Sequence, residues 1–196
     1  MPLSPPLLHL KSFLASPRAY LAARFNRARH TDINRWADPA ILYDHWDERT
    51  ALMASMIAQN SSVLEFGAGN ERIRNFLPAG CTYQPCDIVA RSEHTLVCNL
   101  NVAFPALDRT WDVIVFSGVL EYIEDVPALL ANVRAHAHSC ILSYHPIDTL
   151  DCLTTRLQGG WVNHYAQAAM ESIITKAGFT IDQERLWSGQ NIYSLR

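Results

Sequence analysis

The sequence has no Cys-x-x-Cys pair, and its five cysteines (Cys81, Cys86, Cys98, Cys140, Cys152) are an odd number. This excludes a closed disulfide framework and a zinc site of the usual spacing, and a reducing, cytoplasmic setting is expected. No apolar run reaches the roughly 18 positions that a membrane-spanning helix needs. Charges and prolines interrupt the apolar start, and no small-residue cleavage site follows it, so it does not read as a secretory signal. Acid is missing altogether from residues 1–31, which hold Lys11, Arg18, Arg24, Arg27 and Arg29. Because the whole chain carries −3, that +5 arm leaves a body of −8. An acidic body of this kind is not a general nucleic-acid binder, whereas the arm suits a weak contact with an anionic surface. What is present is a 196-residue chain with 49% hydrophobic content. That suffices for one domain with an ordinary core and excludes a disordered chain.

Periodicity divides the chain. After an irregular, proline-containing start, Ser16 and Pro17 open a helix with Leu21 and Phe25 on one face. An aromatic stretch, Trp36 to Trp46, precedes a helix over about 48–59 with Leu52, Met53 and Met56 on one side. Strands are expected at 62–66, 81–87, 96–98, 111–116 and 140–144, with helices at 71–77, 126–138 and 166–177. Two final strands meet at the turn Ser188-Gly189. Strands alternating with helices imply an α/β protein with a largely parallel sheet. Only eight residues separate Asp87 from Leu96, too few for a crossover helix, so a loop containing Arg91 and His94 is expected there.

The most informative stretch is Val63-Leu64-Glu65-Phe66-Gly67-Ala68-Gly69-Asn70-Glu71. A buried strand that runs into two glycines and then a helix is a nucleotide-type turn, where the backbone comes close to a ligand. A dinucleotide fingerprint requires glycine at position 72, which is Arg72. Glu65 and Glu71 would also repel a pyrophosphate at the helix end. The acids suit S-adenosylmethionine, which carries a sulfonium and an ammonium and no phosphate.

This stretch resembles motif I of the class I S-adenosylmethionine-dependent methyltransferases, an acid-x-Gly-x-Gly-x-Gly pattern. Glu65, Gly67 and Gly69 match, and Glu71 replaces the third glycine. Three further stretches follow in the family's order. Asp87, 20 residues after Gly67, stands where an acid binds both ribose hydroxyls, with Ile88 against the adenine. Asn99 and Leu100 stand at the third motif, where Asn99 replaces an acid that accepts from the adenine amino group. Phe116-Ser117-Gly118-Val119-Leu120-Glu121-Tyr122 resembles the strand 4 exit that lines the methionine end.

The resemblance implies a Rossmann-like α/β fold, with about seven mostly parallel strands, the last antiparallel, flanked by helices. It also implies a helical arm or lid over residues 1–47 before a cofactor-binding domain at 48–196. The expected cofactor is S-adenosylmethionine, with S-adenosylhomocysteine as product. It would be held by Glu65, Phe66, Gly67, Ala68, Gly69, Asp87, Ile88, Asn99, Leu100 and Ser117.

Methyl transfer from a sulfonium needs a base only when the acceptor must lose a proton. Tyr122, His145 and His164 are the catalytic candidates, and Tyr43, Trp46 and Tyr165 the candidates for lid and acceptor contacts. In the lid segment, 36–49, Tyr43 and Trp46 are expected to face the cofactor and the basic residues 11–29 to face outward. His136 and His138 sit at a helix end, where histidine complements the dipole, so no metal site is expected. The Asn/Asp-Pro-Pro-aromatic signature of nucleic-acid amino-methyltransferases is absent after strand 4. A small-molecule acceptor is therefore expected, with O- or N-methylation both open and no sequence-specific nucleic-acid partner. The alternative is a catalytically silent cofactor-binding or interaction protein with the methyltransferase fold.

Overall fold

Val63, Val113, Val115, Ile141 and Ile192 share one buried cluster with Met53 and Ala54. Their chain neighbours Leu64, Phe66, Ile114, Phe116 and Leu142 share another with Leu129, Leu130, Met170 and Ile174. Successive side chains of a strand point to opposite faces, so this alternation means a sheet buried on both sides. The computed structural model describes residues 5–21, 31–150 and 152–196. Its strands are β1 (Ser62–Phe66), β2 (Thr82–Asp87), β3 (Leu96–Val97), β4 (Trp111–Phe116), β5 (Ala137–Tyr144), β6 (Ile181–Trp187) and β7 (Gln190–Leu195). They form one seven-stranded sheet in the order β3-β2-β1-β4-β5-β7-β6. β1 lies parallel to β2 and β4, and β4 parallel to β5, whereas β7 runs antiparallel to β5 and β6. The Rossmann-like α/β fold with an antiparallel last strand is therefore as expected.

The helices are α1 (Pro5–Ala15), α2 (residues 17–21), α3 (Ile33–Ala37), α4 (Asp47–Ala54), α5 (Val126–His136), α6 (Leu153–Gln158) and α7 (Gln167–Lys176). α4 covers the Met53 face, and α5 and α7 cover the other. The strand order reverses between β1 and β4, and ligands bind in open α/β sheets at the carboxyl ends of the strands beside such a point.

Four expectations are corrected. The irregular start is helical, because Pro5 and Pro6 occupy the first turn of α1, where no backbone N–H is needed. The helix over 48–59 stops at Ala54, where the Ser55 hydroxyl donates to the Leu52 carbonyl at 2.7 Å and competes with the helical ladder. Residues 71–77 make only a 3-10 turn, Arg72–Asn75, because Glu71 adopts a left-handed φ of 58° and Pro78 ends the segment. α6, within what reads as a loop, was not anticipated. The short connection between β2 and β3 is indeed a loop. Phe25 lies outside the described residues.

The β6–β7 turn has φ of 45° at Ser188 and 79° at Gly189. Both values are positive, as a type I′ hairpin turn requires. Serine carries a Cβ penalty in that conformation, which asparagine tolerates better. Ser188→Asn is therefore expected to stabilise the protein by about 0.5–1 kcal/mol. Thermal unfolding followed by circular dichroism would show a melting temperature raised by about 1–4 °C. A lowered one would mean that Ser188 has a role beyond the turn.

Candidate functional site

A cavity of about 260 Å³ opens at the carboxyl ends of β1, β2 and β4. Its floor is the turn after β1. Gly67 has φ of 69° and Gly69 of 51°, and a Cβ on Gly67 would collide with Cγ2 of Val119. Only glycine fits at position 67, and the bare backbone is thereby left facing the cavity. The turn is pinned to β2: the Ala68 N–H donates to the Cys86 carbonyl at 3.0 Å, and the Gly69 N–H to Oδ2 of Asp87 at 2.8 Å. Oδ1 of Asp87 accepts the Val89 N–H at 3.0 Å. The Asp87 carboxylate is thus fixed on the cavity wall, with one lone pair left on each oxygen.

A buried acid and a buried base face the same space. Glu65 sits on the Met53 side of the sheet, and its Oε2 accepts the Tyr83 hydroxyl at 2.6 Å. Burial pushes its carboxyl up to about 8, against the lowering effect of the Tyr83 hydrogen bond. Arg49, on α4, donates from Nε to the Ser117 hydroxyl at 3.2 Å and from Nη1 to Oε1 of Gln190 at 3.0 Å. Its guanidinium lies 5.5 Å from the ring centres of both Trp46 and Trp187. Burial pulls its pKa down, and the nearby Glu121, Tyr122 and Glu65 oppose that. Among the described residues no carboxylate lies within ion-pair distance of Arg49. A guanidinium so enclosed has spare donors for an anion.

The segment before β1 forms the roof. Trp36, Leu42, Tyr43 and Trp46 line the cavity. Arg72 holds Asp47 in a bidentate ion pair whose Nε–Oδ1 arm is 2.9 Å, and Arg91 donates to the Trp36 carbonyl. Both contacts tie the roof to the loops beneath it. Arg91 also lines the cavity, whereas His94 does not.

The sequence-derived residues divide clearly. Glu65, Phe66, Gly67, Ala68, Gly69, Asp87, Ile88, Asn99, Leu100, Ser117, Tyr43, Trp46 and Tyr122 all line the one cavity. His145, His164 and Tyr165 do not. His145 donates its backbone N–H to Oε1 of Glu121 at 2.8 Å, and its ring is held at about 4, mainly by burial and then by Arg156. Nδ1 of His164 accepts from Nε of Arg156 at 3.1 Å. Tyr165 is packed against the core, with its N–H on the Tyr144 hydroxyl at 2.8 Å. Oδ1 of Asn99 already takes the Asn101 N–H at 3.0 Å and the Thr31 hydroxyl at 3.3 Å. Glu71 does not line the cavity and is engaged by Ser92 and Arg74.

Arg49 and Glu121 were missed as site residues, whereas Trp36, within the expected lid segment, and Trp161 also line the cavity. Arg49 carried a legible signal, because it occupies the same helical face as Leu52, Met53 and Met56. An arginine within an apolar stripe is a buried cation in need of a reason.

The methyltransferase-domain family model matches residues 40–184. The chain belongs to this family, among the class I S-adenosylmethionine-dependent methyltransferases. No curated protein matches it. Among solved structures it resembles mitomycin 7-O-methyltransferase (TM-score 0.57, 13% identity, 76% of this chain and 53% of that one). It also resembles 1,6-didemethyltoxoflavin-N1-methyltransferase of Burkholderia thailandensis (0.60, 16%, 100% and 92%). A third is magnesium protoporphyrin IX methyltransferase of Synechocystis (0.53, 17%, 77% and 80%). The chain spans about half the length of the first of these.

Glu65 generates a pH prediction. Its folded pKa of about 8 lies above its ordinary value near 4.5, so between the two the folded state holds a proton that the unfolded state has lost. The stability this confers is full below the ordinary value and is lost as pH rises through about 8. Urea unfolding of the ligand-free protein from about pH 5 to about pH 8 is expected to show a steeper loss for the wild type than for Glu65→Gln. Equal slopes would mean that Glu65 ionises normally.

Proposed function

We propose that the protein transfers a methyl group from S-adenosylmethionine to a small-molecule acceptor bound under its aromatic roof. One juxtaposition carries this reading: a buried cation and a buried acid, Arg49 and Glu65, face one cavity whose floor is the Gly67–Gly69 turn. A zwitterionic amino-acid end matches that pair, with its carboxylate toward Arg49 and its ammonium toward Glu65. Asp87, with a free lone pair on each oxygen, suits two vicinal ribose hydroxyls. When bound, the cofactor supplies both the methyl group and its own leaving group.

The chain's residues then bind, orient and exclude water. Trp36, Tyr43, Trp46 and Trp161 offer flat apolar walls and so favour a flat, unsaturated acceptor. Residues 36–49 act as the lid, where an arm spanning 1–47 joins the domain at 48–196. Of the three catalytic candidates only Tyr122 stands on the cavity wall. Its hydroxyl accepts the Trp161 indole N–H at 3.1 Å, and burial holds its pKa at about 12. At neutral pH it is a hydrogen-bond donor to the acceptor rather than a base. Glu121 is the group suited to take a proton. It lines the cavity, burial raises its pKa, Oε1 is held by the His145 N–H, and Oε2 has no hydrogen-bond partner among the described residues. An acceptor that must lose a proton, whether from oxygen or nitrogen, fits that arrangement. The relatives that act on mitomycin and on 1,6-didemethyltoxoflavin support a small-molecule acceptor.

Calorimetric titration with S-adenosylhomocysteine tests the cofactor assignment. Asp87→Ala is expected to weaken binding at least tenfold through loss of charge-assisted hydrogen bonds, at roughly 1.5–3 kcal/mol each. Arg49→Met is expected to weaken it by a similar factor, at about 1.4 kcal/mol per tenfold. The same Arg49 variant should leave the affinity for 5′-methylthioadenosine, which has no carboxylate, unchanged. Unaltered S-adenosylhomocysteine affinity in both variants would refute the assignment.

A further inference from the structure

In the described part of α1, polar side chains meet the domain: Ser12 is buried, and Nδ1 of His9 lies 2.6 Å from the hydroxyl of Tyr20, itself buried beside Leu153 and Leu157 of α6. Its described leucines face away, and the ring of Phe13 meets that of Tyr20 edge-on at 6.0 Å. Leu10 is 52% exposed, Leu14 68% and Phe13 38%, and Leu21, at the end of the described part of α2, is 57% exposed. Leu10 and Leu14 are one turn apart on the same helical face, with Phe13 beside them. A surface helix normally buries its leucines and offers its polar side to water. A cluster of four exposed large apolar side chains on one small arm therefore points to a partner.

Charge identifies that partner. Lys11 and Arg18 are exposed alongside these residues, and residues 1–31 carry five basic side chains and no acid. A second copy of the chain would bring the same charge to the contact and repel it. An anionic lipid surface would attract it and accept the leucines at the same time. Either signal alone is weak, and stable interfacial binding takes two, apolar insertion together with a basic patch. No helix among the described residues is long and apolar enough to cross a membrane, so the contact would lie in the membrane interface. We infer that α1 docks this protein on anionic phospholipid bilayers, with Leu10, Phe13, Leu14 and Leu21 in the interface and Lys11 and Arg18 at the headgroups. The inference does not rest on the reading of the cavity.

Co-sedimentation of the full chain with phospholipid vesicles tests this. The chain is expected to bind vesicles containing about one-third phosphatidylglycerol at least tenfold more tightly than pure phosphatidylcholine, with binding weakened by added salt. Leu10→Ser with Leu14→Ser should reduce binding at least tenfold, with the melting temperature unchanged because both side chains are exposed. Lys11→Glu with Arg18→Glu should remove the preference for anionic vesicles. Sedimentation equilibrium without lipid should show a monomer. Absent binding, equal binding to both vesicles, or a lipid-free dimer lost in the leucine double variant would each overturn the inference.

Discussion

A guanidinium buried without a carboxylate partner is costly, and Arg49 shows how this fold bears that cost. Its donors meet the Ser117 hydroxyl at the end of β4 and the Gln190 side chain at the start of β7, and two indole rings flank it. One side chain therefore ties α4 to two strands of the sheet. Neutral oxygens and aromatic faces offset only part of the desolvation of a full charge. The residual demand for an anion is directed into the cavity. Removing Arg49 would both relax that demand and loosen the helix that carries the roof.

The sheet supplies the complementary acid. Parallel pairing places Glu65 beside Val115 in β4 and beside Pro85 in β2. The carboxyl of Glu65 is thereby held at the floor of the cavity, two residues before Gly67. A pyrophosphate would meet the Asp87 carboxylate as a like charge and would keep Glu65 protonated, whereas the ammonium of an adenosyl amino acid would favour the ionised form of Glu65 while its carboxylate meets Arg49. The same geometry limits Glu71. The left-handed conformation that a third glycine would adopt freely is adopted here by a glutamate, whose side chain is spent on Ser92 and Arg74.

What sequence pattern could reach follows from physical range. The apolar runs of β1, β4 and β5 are continuous because both faces of the sheet are covered, and they were legible for that reason. The turn Ser188-Gly189 and the trimmed β2–β3 connection follow from local chemistry and chain length. The Gly67–Gly69 turn and Asp87 carried a family pattern, and all stand on one cavity. Failure came where tertiary context decides. His145 and His164 follow the sheet edge in sequence, but Arg156 and Glu121 draw them into a neighbouring network. Pro5 and Pro6 suggested an irregular start, although the first helical turn accommodates both. Glu121 stands within the strand 4 exit motif, yet the pairing of its Oε1 with the His145 N–H, which leaves Oε2 toward the cavity, appears only when β4 and β5 are brought side by side.

The central claim is that Arg49 and Glu65 together select an adenosyl amino acid over a dinucleotide. Calorimetric titration of the wild-type protein with S-adenosylhomocysteine and with NAD, under identical conditions, tests it most directly. The account predicts saturable binding of S-adenosylhomocysteine, with a dissociation constant on the order of micromolar, and no measurable heat from NAD. Binding of NAD with equal or greater affinity would contradict it.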